Sequence, residues 1–185
     1  MLANGDRARK ETDAVADGRA RVSTSFDDAS FRRVLGHYPT GVCIITAVDA
    51  DGTPTGMVVG SFTSVSLDPP LVAFFPDRKS SSWARIQGAG RFCVNVLAAD
   101  QEPLCRQFSA KGVADKFEGV SHRVSSNGSP ILDEVVAWID CDLEAIHEAG
   151  DHFIVLGRVV ALEVESPGRP LLFFQGGYGA FAELS

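Results

Sequence analysis

The sequence predicts a mostly β fold, an antiparallel barrel flanked by a few short helices. Strand-length apolar runs outnumber amphipathic helical stretches, and most are joined by hairpin-type turns. The β-branched residues cluster and Phe is abundant, with 12 copies, a composition that suits a pleated surface. The chain shows no regular alternation of strand and helix, so a doubly wound parallel sheet is disfavoured.

Residues 1–25 are polar, mixed in charge and poor in large apolar groups. They read as a mobile tail, with an arm docking on a partner subunit as the alternative. Residues 26–185 read as one domain. Ser25 or Asp27 can cap a short helix whose apolar face is Phe31, Val34 and Leu35, and Gly36 suits its end. Residues 39–66 read as a strand, a turn at Asp51-Gly52 and a return strand. Leu71 to Phe75 is a continuous apolar run, the pattern of a strand covered on both faces. KSSSWARIQG predicts a second helix ending at Gly88, and RFCVNVL another strand. Asp100 can cap a third helix, with Pro103 tolerated in its first turn and Leu104, Cys105 and Phe108 on one side. A loop beyond Lys111 leads into a long hairpin, running in over Val135 to His147 and back over His152 to Glu165. The chain closes on LLFF, Gly176-Gly177 and Tyr178.

The 185 residues suit one domain with a real core. A net charge of -7 argues against a broad nucleic-acid surface, though not against a local anion site. No apolar run approaches the roughly 20 residues that span a bilayer, and the N-terminus has no apolar signal region. Cys43, Cys93, Cys105 and Cys141 are widely spaced among apolar residues, with no CxxC pair. They read as buried free thiols in a reducing cytoplasm.

Three places could carry chemistry. Ser61, Thr63, Ser64 and Ser66 set four hydroxyls beside Gly60, and hydroxyls at a strand end can hydrogen-bond a planar polar ring. Taken alone, the segment reads more readily as an ordinary Ser/Thr-rich edge strand. Asp68-Pro69-Pro70 then forces a bend before the apolar strand. Arg78, Lys79, Ser80, Ser81 and Ser82 lead into a helix, an arrangement that suits phosphate. N-capping with solvated charges explains that segment equally well. His152 follows Gly150-Asp151 at a hairpin tip, where a polar group can face a ligand or simply be solvated. His147 and His152 lack the acidic or thiol company that a metal needs, so no metal site is expected. No phosphate-binding GxxxxGK[ST] loop, GxSxG elbow or HExxH appears, and no GxGxxG opens a helix after a strand.

Taken in order, FRRVLGHYPTGVCIIT, SFTSVSLDPPLV, KSSSWARI with GRFCVNVL, FSAKGVADKF, GDHFIVLGRV and PLLFFQGGY resemble the short-chain flavin reductase family. These are the FMN-binding split-barrel reductases that supply reduced flavin to two-component monooxygenases. The match runs from about Phe26 to Tyr178. The resemblance implies a homodimer of six-stranded antiparallel split barrels, with Ser61 to Phe75 as the wall that holds the flavin. By position it places Thr40 and Gly41 near the flavin. Val59, Gly60, Ser61, Thr63, Ser64, Val65 and Ser66 would bind its isoalloxazine and ribityl parts, largely through backbone groups. Lys79, Ser80, Ser82 and Trp83 would hold the phosphate end. Asn95, Phe108-Ser109 and Lys116-Phe117 would complete the pocket. His152 would stand beside the nicotinamide, and Tyr178 near the C-terminal wall.

The implied reaction is direct hydride transfer from nicotinamide C4 to flavin N5, for which no catalytic acid or base is required. FAD is expected over FMN by the resemblance to reductases of aromatic and natural-product monooxygenases. NADH is expected over NADPH because no basic pair stands out for a 2′-phosphate. The expected partner is an oxygenase that receives reduced flavin, and the expected location is the cytoplasm, with no nucleic acid or membrane involved. A non-catalytic flavin-binding protein and a split-barrel flavin oxidase are the alternatives.

Overall fold

A computed structural model describes residues 26–113 and 115–184, so the tail expected over residues 1–25 lies outside the described residues. Helix α1 spans Asp28–Leu35. Asp27, and not Ser25, is its cap: the carboxylate Oδ1 accepts from the Ser30 amide at 2.8 Å. Phe31, Val34 and Leu35 form the expected apolar face, but all three are exposed.

Strands follow at β1 (Thr40–Gly41), β2 (Cys43–Val48), β3 (Pro54–Val59), β4 (Thr63–Leu67) and β5 (Pro70–Phe74). Helix α2 (Ser81–Ala89) leads into β6 (Arg91–Val96). Helix α2 runs past the expected Gly88 and stops at Gly90, whose φ of 68° is the left-handed geometry that glycine accepts without strain. Asp100 falls in a 3-10 turn, and helix α3 begins after it, over Glu102–Ser109. A small hairpin of β7 (His122–Val124) and β8 (Pro130–Leu132) precedes the long hairpin of β9 (Ala137–Ala149) and β10 (His152–Val164). The hairpin of β11 (Leu171–Phe174) and β12 (Gly177–Ala180) closes the chain, with β1 paired to β11.

The main sheet is antiparallel and has seven strands, in the order β3-β2-β6-β9-β10-β5-β4. Six were expected from the resemblance. A flat sheet would hold its edge strands roughly 29 Å apart, six spacings of about 4.8 Å. Yet β3 and β4 are joined by only Gly60, Ser61 and Phe62, a link that reaches at most about 14 Å. The sheet must therefore curl until its two edges meet at this corner. Among the described residues β3 and β4 do not pair, so the barrel is split along that line.

Both faces of the central strands are covered. Cys43, Ile45 and Ala47 of β2 point inward, where they join Phe92 and Val94 of β6, Phe74 of β5, and Trp83 and Ile86 of α2. Phe74 meets Phe92 and Trp83 edge-on, with ring centroids 5.2 and 5.6 Å apart. Val42 and Ile44 face outward, against Leu97, Cys105, Phe108, Leu132 and Leu171. This double cover explains why β2 is apolar along most of its length, without alternation. All four cysteines are free and buried, and burial pushes the Cys43 and Cys141 thiols up to about 12. No helix among the described residues is long and apolar enough to cross a membrane.

Candidate functional site

A cationic groove and a polar corner lie at the two ends of β3. At its start, Thr55 and Gly56 line a groove of about 740 Å³ together with the loop and first turn of α2 and the chain that follows α3. Lys79, Ser80, Ser82, Ser109 and Lys116, all expected from the sequence, converge there. Ser80 is the helix cap, and its hydroxyl accepts from the Trp83 amide at 3.2 Å. The first amides of a helix have no intrahelical acceptor. The cap takes that of Trp83, which leaves those of Ser81 and Ser82 at the groove wall, an arrangement suited to an anion.

The groove is strongly cationic, with Lys79, Arg85, Lys111 and Lys116 against Asp77. Arg85 is already engaged by Asp49, at 2.7 Å, and holds that carboxyl below the usual carboxylate range. Lys116 donates to the Phe108 carbonyl at 2.7 Å and lies 3.5 Å from the Ser82 hydroxyl. Partial burial lowers its pKa. Part of its hydration is thus already lost, which favours a charged partner over water. Arg85, Lys111 and Thr55 were not singled out from the sequence. Arg85 was within reach, because it stands three residues after Ser82 and shares its helix face.

The far end of β3 is the corner where the barrel is split. A Cβ on Gly60 would lie 2.9 Å from the Thr40 hydroxyl, so the glycine leaves room for the Thr40 side chain at this corner. The Ser61 hydroxyl accepts from the Phe75 amide at 2.9 Å and fixes the corner to the end of β5. Thr63, Ser64 and Val65 are exposed on β4, and the ladder to β5 slips between Ser64 and Ser66. Such a bulge leaves a residue unpaired in the ladder. Gly41 is exposed beside Thr40. The corner and the groove stand one strand apart, roughly 17 Å for five residues.

The tip of the β9–β10 hairpin pairs with the segment that leads from β5 to the groove. His152 forms an isolated β-bridge with Asp77, two residues after Phe75. Its Nδ1 lies 2.7 Å from Asp151 Oδ1, and His152 holds that carboxyl below its usual range. The imidazole is about half exposed.

Other residues expected at the pocket have their side chains packed or hydrogen-bonded away from the groove. Trp83 is buried in the barrel core against Phe74, and its indole N–H finds no acceptor. Its backbone belongs to the phosphate-ready turn, but its side chain does not. Val59 is likewise a core residue. Phe108 and Phe117 pack edge-on with centroids 5.0 Å apart on the outer face. Asn95 is fully buried: its amide donates to the Ile44 carbonyl and the Thr46 hydroxyl and accepts from the Leu132 amide, which ties β8 to the sheet. Tyr178 accepts from the Cys105 thiol at 3.3 Å and lies under the Arg106 guanidinium. It lines a separate apolar depression with Leu172 and Phe174. The Arg78 side chain turns from the groove to Glu148.

Comparison with known proteins gives a consistent picture. The family model described as the flavin reductase like domain matches residues 35–182. A flavin reductase from Pseudomonas putida is 59% identical over 163 residues, covering 88% of this chain and 95% of the relative. The reductase subunit HsaB of a flavin-dependent monooxygenase from Rhodococcus jostii (strain RHA1) is 46% identical, over 90% of this chain and 84% of its own. The solved structure of the Streptomyces globisporus C-1027 NADH:FAD oxidoreductase SgcE6, in complex with NAD and FAD fragments, superposes with a TM-score of 0.79. It is 35% identical over 84% of this chain and 93% of its own.

Proposed function

The chain belongs to the flavin reductase-like domain family, and we propose that it uses NADH to reduce FAD and hands the reduced flavin to a partner monooxygenase. The observation that carries this reading is the cationic groove at the start of β3 and the polar corner at its end, with His152 paired to Asp77 on the segment that runs from β5 into the groove.

When bound, the flavin supplies the hydride-accepting ring, and the reduced nicotinamide supplies the hydride. The residues of this chain bind and orient. Lys79, Lys116, the Ser80 and Ser82 hydroxyls and the first α2 amides hold the phosphate end. Thr40, Gly41, Gly60, Ser61 and the exposed face of β4 hold the ring, mostly through backbone groups. His152 sits where it can orient the nicotinamide amide. No side chain has to move a proton at a reacting atom, which fits a site built from lysines, hydroxyls and one half-exposed histidine.

The groove is lined by Lys111 and Val113 as well as by Lys79 and Lys116, more cationic wall than one phosphate needs, and this supports FAD over FMN. The cation nearest the His152 tip, Arg78, is engaged by Glu148, which supports NADH over a 2′-phosphorylated nucleotide. An oxygenase partner is supported by the relative that is itself a reductase subunit. A homodimer is supported by the exposed Phe31, Val34 and Leu35 on α1 and by Leu162 and Val164 on β10. Four buried free thiols support a reducing compartment, the cytoplasm.

The test is the loss of reduced-nicotinamide absorbance with free flavin added, run with both nucleotides and both flavins. Fastest turnover with NADH and FAD is expected. No flavin-dependent consumption of either nucleotide would sink the reading.

A further inference from the structure

The phosphate groove and the His152 tip belong to different strands, yet one side chain ties them together. Arg78 lies in the loop between β5 and α2, next to Lys79. Its guanidinium reaches the β9–β10 hairpin, where Nη1 and Nη2 meet the two Glu148 carboxylate oxygens at 3.3 and 3.2 Å. Nη1 also lies 3.5 Å from the Gly150 carbonyl. The guanidinium carbon stands 5.4 Å from the centroid of the Phe153 ring, and that ring packs in turn on Trp83 of α2, at 6.3 Å. Two backbone bonds flank the contact: the Arg78 amide donates to Asp151 and the Phe153 amide to Pro76, at 3.0 and 2.9 Å. His152 is the residue enclosed between them.

We propose that Arg78 is a positioning residue that clamps the His152 tip to the anion-binding loop, so that it governs nicotinamide use and leaves flavin affinity nearly unchanged. The proposal rests on the reductase reading of the site. A planar, forked cation is needed, because the paired carboxylate oxygens and the Phe153 face must be met together. The Arg78 and Glu148 side chains are 43% and 70% exposed, and an ion pair that open contributes little alone. The clamp therefore depends on the ion pair, the ring contact and the two backbone bonds acting together, and its removal should be felt as a moderate loss.

The experiment compares wild type, Arg78→Ala, Arg78→Lys, His152→Ala and the Arg78→Ala/His152→Ala double variant. KM for NADH, kcat and the dissociation constant for FAD are measured, together with hydrogen exchange of the Phe153 amide. Arg78→Ala should raise KM for NADH by on the order of tenfold, with kcat and FAD affinity within about twofold. Phe153 exchange should accelerate, and Arg78→Lys should recover only part of both effects. In the His152→Ala background, removing Arg78 should raise KM no further, because residues acting through one another are not additive. Additive losses in the double variant, equal losses of NADH and FAD affinity, or an unchanged KM in Arg78→Ala would each overturn the proposal while leaving the reductase reading intact. A wild-type protein that consumes no nicotinamide with flavin overturns the reductase reading, and this role with it.

Discussion

The ring of Phe92 occupies the space where a side chain at position 157 would begin: a Cβ on Gly157 would lie 2.4 Å from Phe92 Cζ and 3.1 Å from Cys141 Cβ. Gly157 stands at a slip in the β9–β10 ladder, and Phe92 is fully buried between Phe74 and the sheet. Gly157→Ala should therefore force a well-packed ring out of place and cost about 1–3 kcal/mol. Denaturant unfolding checks this, and a change below about 0.5 kcal/mol would mean that the core yields more easily than its packing suggests.

Ser80 has two roles, helix cap and groove wall. Ser80→Ala should cost about 1 kcal/mol of stability and weaken FAD binding several-fold, because the amides it organises lose their geometry. Fluorescence titration at a temperature well below unfolding separates the two effects. A stability loss with undisturbed affinity would remove Ser80 from the binding site.

His152→Ala should raise KM for NADH about tenfold while FAD affinity changes by no more than about twofold. The imidazole is half exposed and bonded to Asp151, and neither group is part of the sheet core. Steady-state kinetics at saturating FAD decide the matter. Kinetics equal to wild type would strip His152 of its role.

Asp140 is fully buried under the turn that joins β7 and β8. One carboxylate oxygen accepts from the Asn127 amide at 3.3 Å and the other has no partner. Burial raises its pKa above the usual carboxylate range. The folded protein thus binds this proton more tightly than the unfolded chain. Its contribution to stability is full below the ordinary Asp pKa and is lost as pH rises through the raised value. Asp140→Asn should flatten that decline and leave the protein at least as stable as wild type at neutral pH. Asp49, Asp151 and Glu165, whose pKa values are lowered by Arg85, His152 and Arg123, work in the opposite sense and lose their contribution as pH falls. Unfolding curves of both proteins across pH check the difference, and parallel curves would count against the prediction.

Most strands and the starts of α1 and α2 were legible because their signals are local. Asp27 three residues before Ser30, Ser80 before a helical run, and the Gly150 turn all act within a few residues. Part of the cationic groove was legible for the same reason, since Lys79, Ser80 and Ser82 sit in one stretch at a helix start. Residue fates that depend on distant cover were not. Asn95 reads as a polar strand residue, and only the arrival of β8 shows that its amide is spent on Leu132. Trp83 sits among serines in the sequence, but the helix turns its ring away from them into the barrel. Arg78 reads as another phosphate cation until Glu148 is brought beside it from seventy residues away. Strand β4 was legible as a Ser/Thr-rich edge strand, but not its separation from β3, because nothing local marks the break at Gly60 to Phe62.

The three-residue link between β3 and β4 also orders how the protein can assemble. These neighbours in sequence sit at opposite ends of the hydrogen-bonded order, so their own proximity does not register the sheet. The link itself keeps the two edges close from the start, so what remains to be made are the β2–β6, β6–β9 and β10–β5 ladders, which join distant parts of the chain. Contacts of that kind carry the loop-closure cost that slows folding. The corner proposed to hold the flavin ring is thus set by chain connectivity, and the closure of the barrel lies in those distant pairings. Flavin bound there, by favouring the folded state alone, would draw the equilibrium toward the completed barrel.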